Sequence, residues 1–183
     1  MTIGLNRVKD IFLFSCYTGL SYIDIKELHS NQVLIGIDGN KWIYTQRAKT
    51  NEPVKIPLLS RAKEILDRNK EEIELTGELL PVYSNQKTNK NLKLITKACG
   101  IYKNITFHSA RHTFATTVTL CNGVPIETVS KMLGNTKLNT TQIYARVLQK
   151  KVGEDMQNLI DLFKAKKKQR SEAPIPKLRD YQN

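Results

Sequence analysis

The chain has 183 residues, enough for one well-buried domain, and its 40% apolar content argues against wholesale disorder. Twenty-nine Lys and Arg residues outweigh 17 Asp and Glu residues, giving a formal net charge of +12. This excess favours nucleic acid as the partner, with an anionic membrane surface second. No apolar run approaches the roughly 20 residues that span a bilayer, and no signal peptide opens the chain. We therefore expect a cytosolic protein.

Three cysteines, Cys16, Cys99 and Cys121, lie far apart in apolar patterns. Their odd number and their spacing argue against disulfide bridges and metal ligands. We interpret all three as small core residues of a protein from a reducing compartment.

Apolar periodicity and turn signals predict a mainly helical (α+β) domain with a small antiparallel three-stranded sheet. The helices are predicted at 7–18, just after Ser21, 60–75, 89–99, 111–121, 126–133, from Asn139, and 147–168. The strands are predicted at 32–37, 41–45 and 54–57. Asp38-Gly39 is a tight-turn signal between the first two strands, and Pro57 suits an edge strand.

Polar residues at fixed offsets mark the segment 105–144. His108 and Arg111 are three residues apart across a helix start, so they share one face of its first turn. Asn135 follows Leu-Gly after a short helix, and Tyr144 lies on the next helix. Donors at a helix N-terminus form an anion site, and phosphate suits arginine best. A tyrosine beside that phosphate can attack it.

These motifs resemble the catalytic domain of tyrosine recombinases, the phage and transposon integrase family. The resemblance rests on three motifs: H-S-A-R-H-T-F-A from His108, M-L-G-N ending at Asn135, and T-T-Q-I-Y-A-R around Tyr144. C-Y-T-G-L-S, ending at Ser21, resembles the family's segment around its first arginine. The resemblance covers about residues 7–163 and is strongest to integrases of mobile elements in Bacteroides-type bacteria.

The resemblance implies a DNA strand exchange enzyme that needs no metal or cofactor. Tyr144 would attack a phosphodiester, giving a 3′-phosphotyrosyl link and a free 5′-hydroxyl. Arg111 would stabilise charge on the nonbridging oxygens. Lys49 matches the family's lysine, the general acid for the leaving 5′-oxygen, and His108 its histidine, which positions the phosphate or moves a proton.

Two positions depart from the family pattern. Ser21 stands where the family has its first arginine, and a hydroxyl does not replace a guanidinium charge. Asn135 stands where the family has histidine or tryptophan, although it still donates a hydrogen bond to a phosphate oxygen. Arg47 is the proposed substitute for the missing arginine, because it precedes Lys49 by two residues on one predicted strand and would share its face.

Each of these residues also has a purely structural interpretation. Tyr144 suits an ordinary amphipathic helix, and His108 with Arg111 suits a helix cap paired with acids. Arg47 suits a plain phosphate contact or a solvated strand. His112 follows Arg111 on the other helix face, so we interpret it as a satisfied, partly buried histidine. The rival function is a non-catalytic DNA-binding relative that lost strand cleavage with its first arginine.

The predicted organisation is a catalytic domain over 1–168 and a flexible tail over 169–183. The family's N-terminal DNA-binding domain has no counterpart here, so we expect a fragment of a longer protein. The apolar stripe within 152–163 either docks on a neighbouring subunit or packs on its own domain. The expected partner is double-stranded DNA, bound by a homotetramer of the full-length protein. No membrane is involved, and the expected location is the bacterial cytoplasm at the nucleoid.

Overall fold

The computed structural model describes residues 3–145, 153, 156–157 and 159–164. The chain divides into two compact units, Met1–Arg146 and Val147–Asn183. The described residues of the second unit are helical. The predicted domain end at 168 and the predicted tail at 169–183 lie outside the described residues.

Residues 3–145 form a mainly helical unit with one small sheet. The helices are α1 Ile3–Thr18, α2 Tyr22–Lys26, α3 Ser60–Arg68, α4 Lys70–Thr76, α5 Asn85–Ala98, α6 Phe107–Thr113, α7 Ile126–Met132 and α8 Leu138–Ala145. The strands are β1 Val33–Ile35, β2 Lys41–Gln46 and β3 Pro53–Pro57. No helix in the described part of the chain is long and apolar enough to cross a membrane.

The three strands pair antiparallel in the order β1-β2-β3, as the sequence predicts. Asp38-Gly39 turns the chain between β1 and β2, and the proline-flanked β3 is an edge strand. Ile43 lies opposite Ile56, and both side chains are buried. One face of the sheet therefore covers the core. The segment 47–52 connects the end of β2 to the start of β3.

Helix α1 is the centre of the core and packs against α3, α5 and α6. Its apolar residues Val8, Ile11 and Phe14 are at most 1% exposed. Cys16 is buried as predicted, but the prediction of core positions was wrong for Cys99 and Cys121, which are exposed. Both lie at the ends of helical segments, beyond the part of each helix that packs on the core.

The predicted single helix at 60–75 was wrong, because the chain breaks at Asn69 into α3 and α4. Asn69 Nδ2 donates to the carbonyl oxygen of Ile65 at 2.8 Å, a local side-chain bond that competes with helix continuation. Helix α5 begins four residues earlier than predicted. Ser84 caps it by accepting from the backbone N–H of Lys87.

The helix predicted at 111–121 begins earlier, at Phe107, and changes form at Phe114. Residues Phe114–Thr119 are π-helical and Leu120–Asn122 form a 3₁₀ turn. Thr119 Oγ1 donates to the carbonyls of Phe114 and Ala115, which helps to hold this wider turn. The predicted cap at Asn139 was also wrong, since α8 already begins at Leu138.

Candidate active site

Arg111 is a buried guanidinium on α6, only 5% exposed. Its Nη1 donates to the Gly19 carbonyl at 2.6 Å, and its Nη2 donates to the Leu133 carbonyl at 2.5 Å and to Asn135 Oδ1 at 3.2 Å. These bonds join α6 to the turn after α1 and to the turn after α7. The side chain is therefore fixed before any ligand binds.

The pKa of Arg111 is lowered to about 10, chiefly by burial and then by the positive charge of Arg47. The charges of Tyr144 and Asp24, together with a side-chain hydrogen bond to Tyr144, oppose this shift. The guanidinium remains protonated at neutral pH, because a pKa near 10 lies well above it. The structure thus places Arg111 close to both Arg47 and Tyr144.

The interpretation of Arg47 and Lys49 as residues of one strand was wrong. Strand β2 ends at Gln46, and the backbone N–H groups of Thr50 and Asn51 both donate to the Arg47 carbonyl. The chain therefore turns at once, and Asn51 takes a left-handed φ of 57°. Within this turn Arg47 is largely buried whereas Lys49 is exposed.

Asp24 holds Arg47 in this position. The Arg47 Nη1 forms an ion pair with Asp24 Oδ2, and Asp24 Oδ1 accepts from the backbone N–H of Ala48 at 3.1 Å. Ser21 is the N-cap of α2 and forms the predicted capping box, because its Oγ accepts from the Asp24 N–H and its own N–H donates to Asp24 Oδ2. The Ser21 hydroxyl also donates to Asp24 Oδ2. The buried Nε–H of Arg47 has no hydrogen-bond partner in the described part of the chain.

Gly134 lies directly against the stem of Arg47. A Cβ built on Gly134 would lie 2.4 Å from Arg47 Cγ and 2.8 Å from Val54 Cγ2, and its φ is +60°. Only glycine satisfies both the backbone angle and this close approach. The glycine of the Leu-Gly-Asn motif therefore makes room for Arg47.

Tyr144 lies at the end of a row of aromatic rings. The ring of His108 meets His112 edge to face at a centroid separation of 4.7 Å, and His112 meets Tyr144 at 5.0 Å. The interpretation of His112 as a partly buried residue on the other face was wrong, because it is exposed and its ring lies between those of His108 and Tyr144. His108 and His112 are four residues apart and share one face of the helix.

His108 is exposed as a whole, but partial burial of its imidazole is the main cause that lowers its pKa from the ordinary 6.5, followed by the charges of His112, Arg111 and Arg47. A positive charge at His108 is therefore disfavoured. Arg47 and Arg111, with the neutral His108 beside them, form the arginine cluster.

A cleft of about 440 Å³ opens beside this cluster. Its wall includes His108 and Arg111 from α6, Ser21 at the start of α2, and Asn85 and Asn89 from α5. The cleft thus lies where polar donors from three helices converge, at the position that the family motif assigns to the first arginine.

Helix α8 is attached to α7 through buried polar side chains. Asn135 Nδ2 donates to Thr141 Oγ1 at 2.9 Å, and Thr141 Oγ1 donates to Ser130 Oγ at 3.0 Å. Thr141 is completely buried and Tyr144 is 5% exposed. Asn135 therefore contacts both the Arg111 guanidinium and the helix that carries Tyr144.

Five of the six predicted site residues come together in this way: Arg47, His108, Arg111, Asn135 and Tyr144. Within residues 3–145 no hydrogen bond or ion pair joins the exposed Lys49 to them. Sequence reasoning missed Asp24, His112 and Thr141 as neighbours of the site. The four-residue spacing of the two histidines was the one available signal for His112.

Comparisons with known proteins agree on one family. The model described as the phage integrase family matches residues 6–151. The tyrosine recombinase XerC of Listeria welshimeri is 34% identical over 120 residues, covering 63% of this chain and 39% of that protein. A XerC-like tyrosine recombinase of Caldanaerobacter subterraneus is 29% identical over 199 residues, covering 86% and 50%. The chain thus spans about half or less of the length of these relatives.

Solved structures share the fold. The XerH site-specific recombinase bound to a palindromic difH substrate gives a TM-score of 0.69 at 18% identity, covering 85% of this chain and 47% of that one. The XerA recombinase gives 0.66 at 19%, covering 86% and 64%. A lambda integrase dimer bound to a COC′ core site gives 0.60 at 19%, covering 76% and 52%. These likenesses confirm the predicted fold class.

Proposed function

The chain belongs to the phage integrase family, and from this membership we propose that it cleaves and rejoins DNA through a covalent bond to Tyr144. The similarity to integrases of Bacteroides-type mobile elements stays a prediction. The proposed substrate is double-stranded DNA, which agrees with the net charge of +12. Among the solved structures with this fold, XerH is bound to a palindromic difH substrate and lambda integrase to a COC′ core site.

The observation that carries the proposal is the pairing of two buried guanidinium groups beside a tyrosine. Burial and then the charge of Arg47 lower the pKa of Arg111, so the fold holds two guanidinium charges close together, with Asp24 paired to Arg47. The Nε–H of Arg47 is buried and unpaired. Such an arrangement supports a site for an anion, and a phosphodiester brings that anion to Tyr144.

In the proposed reaction the Tyr144 oxygen attacks phosphorus and the bond from phosphorus to the 5′-oxygen breaks. Arg47 and Arg111 stabilise the charge on the nonbridging oxygens. The neutral His108 holds the phosphate or takes the tyrosine proton. Attack by the free 5′-hydroxyl on the phosphotyrosine reverses these steps and rejoins a strand without an external energy source.

Lys49 is the proposed general acid that protonates the leaving 5′-oxygen. It lies in the exposed turn that follows Arg47, so bound DNA is the partner that would bring the leaving oxygen to it. Asn135 belongs to the proposed site through its hydrogen bond from Arg111. The protein is proposed to act as a homotetramer on DNA, in the bacterial cytoplasm at the nucleoid.

The test is covalent capture on a nicked DNA duplex, whose short 5′-hydroxyl product diffuses away and traps the adduct. The unaltered chain should form an adduct that survives a denaturing gel, and Tyr144→Phe should form none while it keeps its DNA affinity. Tyr102→Phe is the matched control, because Tyr102 is 93% exposed and lies in the loop between α5 and α6. DNA binding by the unaltered chain with no adduct would favour the non-catalytic rival.

A further inference from the structure

A continuous series of side-chain hydrogen bonds connects the buried arginine to the helix of the nucleophile. Arg111 Nη2 donates to Asn135 Oδ1, Asn135 Nδ2 donates to Thr141 Oγ1, and Thr141 Oγ1 donates to Ser130 Oγ. Ser130 is 6% exposed and Thr141 is 0% exposed, so water does not compete for these groups. Bonds of this kind in a buried setting are costly to break, because the partners stay unsatisfied.

Thr141 is well placed to set the position of the tyrosine. It precedes Tyr144 by three residues on α8, and residues three apart lie on the same helix face. Fixing the Thr141 hydroxyl between Asn135 and Ser130 therefore fixes the rotation of the helix. The Tyr144 ring is then directed towards His112 and Arg111.

Both ends of the Asn135 amide are used within the protein. Its oxygen accepts from Arg111, and its nitrogen donates to Thr141. Its backbone N–H also donates to the Ser130 carbonyl at 3.1 Å. Asn135 lies in the turn after α7 and lines a second cleft of about 440 Å³, whose other walls come from β2, β3 and α7.

We propose that Asn135 and Thr141 are positioning residues for the nucleophile. Asn135 acts through Thr141, by linking the Arg111 guanidinium to helix α8, and does not act as a phosphate ligand. Thr141 and Ser130 hold α8 against α7 so that Tyr144 stays beside Arg111. This inference rests on the proposed role of Tyr144 as the nucleophile.

The first test needs no DNA cleavage. The rate of nitration of Tyr144 by tetranitromethane, measured by peptide mass spectrometry, reports how well the buried ring is held. Thr141→Val keeps the shape of the side chain but removes its hydroxyl, so nitration should rise on the order of 5-fold, as expected for the loss of one or two neutral hydrogen bonds. Thr141→Ser keeps the hydroxyl and should stay close to the unaltered protein.

Thr140→Val is the matched control, because Thr140 is the exposed neighbour of Thr141 on the same helix. It should leave nitration of Tyr144 unchanged. Circular dichroism would show that each variant is folded. Equal nitration of Tyr144 in the unaltered protein, Thr141→Val and Thr141→Ser would overturn the proposal.

The second test separates positioning from phosphate binding. Rates of adduct formation are compared for Asn135→Ala, Thr141→Val and the double variant. Each single change should slow the reaction roughly 10-fold or more, since a small displacement of a reacting group is costly. If Asn135 acts through Thr141, the double variant should be no slower than the slower single variant.

Two results would overturn the positioning role. One is a double variant slowed by the product of the two single effects, and the other is a loss of DNA affinity in Asn135→Ala that Thr141→Val does not share. Failure of the proposed function looks different, because the unaltered chain would then form no adduct at all. The nitration result stands in either case, so the two failures are distinguishable.

Discussion

Asp24 on α2 forms an ion pair with Arg47, which lies 23 residues further along the chain in the turn after β2. Asp24 is almost completely buried, and it also accepts hydrogen bonds from Ser21 and from the backbone of Ala48. The start of α2 therefore carries no arginine of its own but holds one supplied by the turn after β2. The guanidinium of Arg47 reaches the neighbourhood of Arg111 by this route.

The first prediction concerns Arg47 as the residue that replaces the family's first arginine. Arg47→Ala should slow adduct formation on the order of 100- to 1,000-fold, because a preorganised donor is lost where negative charge develops. Arg47→Lys should restore the rate only in part, since an ammonium lacks the two-pronged donor geometry. The measurement is the adduct rate on nicked DNA, with DNA affinity determined in parallel.

Arg61→Ala is the control for the loss of one positive charge. Arg61 lies on α3 with a side chain that is 69% exposed and paired with Glu64. Its removal should change DNA affinity slightly and leave the adduct rate nearly intact. Near-normal cleavage by Arg47→Ala would contradict the hypothesis that Arg47 replaces the missing first arginine.

Local signals account for the parts of the fold that the sequence predicted well. The turn at Asp38-Gly39 and the capping box at Ser21 are decided by residues next to one another, and both are present. The break at Asn69 and the π-helical segment Phe114–Thr119 depend on side chains that bond to backbone carbonyls. Periodicity does not report such bonds, so these features were missed.

The residues of the candidate site also fall into those that local motifs predicted and those that depend on packing. His108, Arg111 and Tyr144 belong to motifs with fixed spacing, and the structure brings them together. Arg47 was predicted at the site for the wrong reason. A turn and the ion pair with Asp24 hold it there, and it does not share a strand face with Lys49. The role of Thr141 depends on how α8 packs against α7, which residue spacing does not reveal.

The second prediction concerns the glycine beside Arg47. Gly134→Ala should lower the free energy of unfolding by at least ~2 kcal/mol, because a left-handed backbone angle and a close contact with Arg47 and Val54 act together. It should also slow adduct formation by displacing Arg47. Urea unfolding and the nicked-DNA assay measure the two effects.

Gly100→Ala is the matched control, because Gly100 also follows a helix and has a φ of +69° but no neighbour within 4 Å of a built Cβ. Its cost should be about 1 kcal/mol from the backbone angle alone. Equal losses of stability in the two variants would contradict a special role for the contact between Gly134 and Arg47.

The third prediction concerns metal independence. In the proposed site the stabilising charge comes from Arg47, Arg111 and Lys49, so adduct formation should persist in excess EDTA. The rate is measured after dialysis against EDTA and again after magnesium is added back. A rate that disappears in EDTA and returns with magnesium would point to a metal-dependent nuclease mechanism instead.

The fourth prediction concerns the pH dependence of stability. The folded protein holds the pKa of His108 below the 6.5 of an ordinary histidine. As the pH falls below about 6.5, the unfolded chain takes up a proton that the folded chain does not yet accept, and stability falls. The free energy of unfolding should therefore drop between pH 7 and pH 5, and the drop should be smaller in His108→Gln.

The same histidine reports on the anion site. Burial is the largest cause of its lowered pKa, and the charges of His112, Arg111 and Arg47 add to it. A phosphodiester bound between the arginines would supply negative charge and raise the pKa of His108 towards its ordinary value. NMR titration of the Tyr144→Phe variant, with and without a short DNA duplex, measures this directly. A pKa of His108 that stays the same when DNA binds would place the phosphate elsewhere, because an anion beside Arg47 and Arg111 must act on this imidazole.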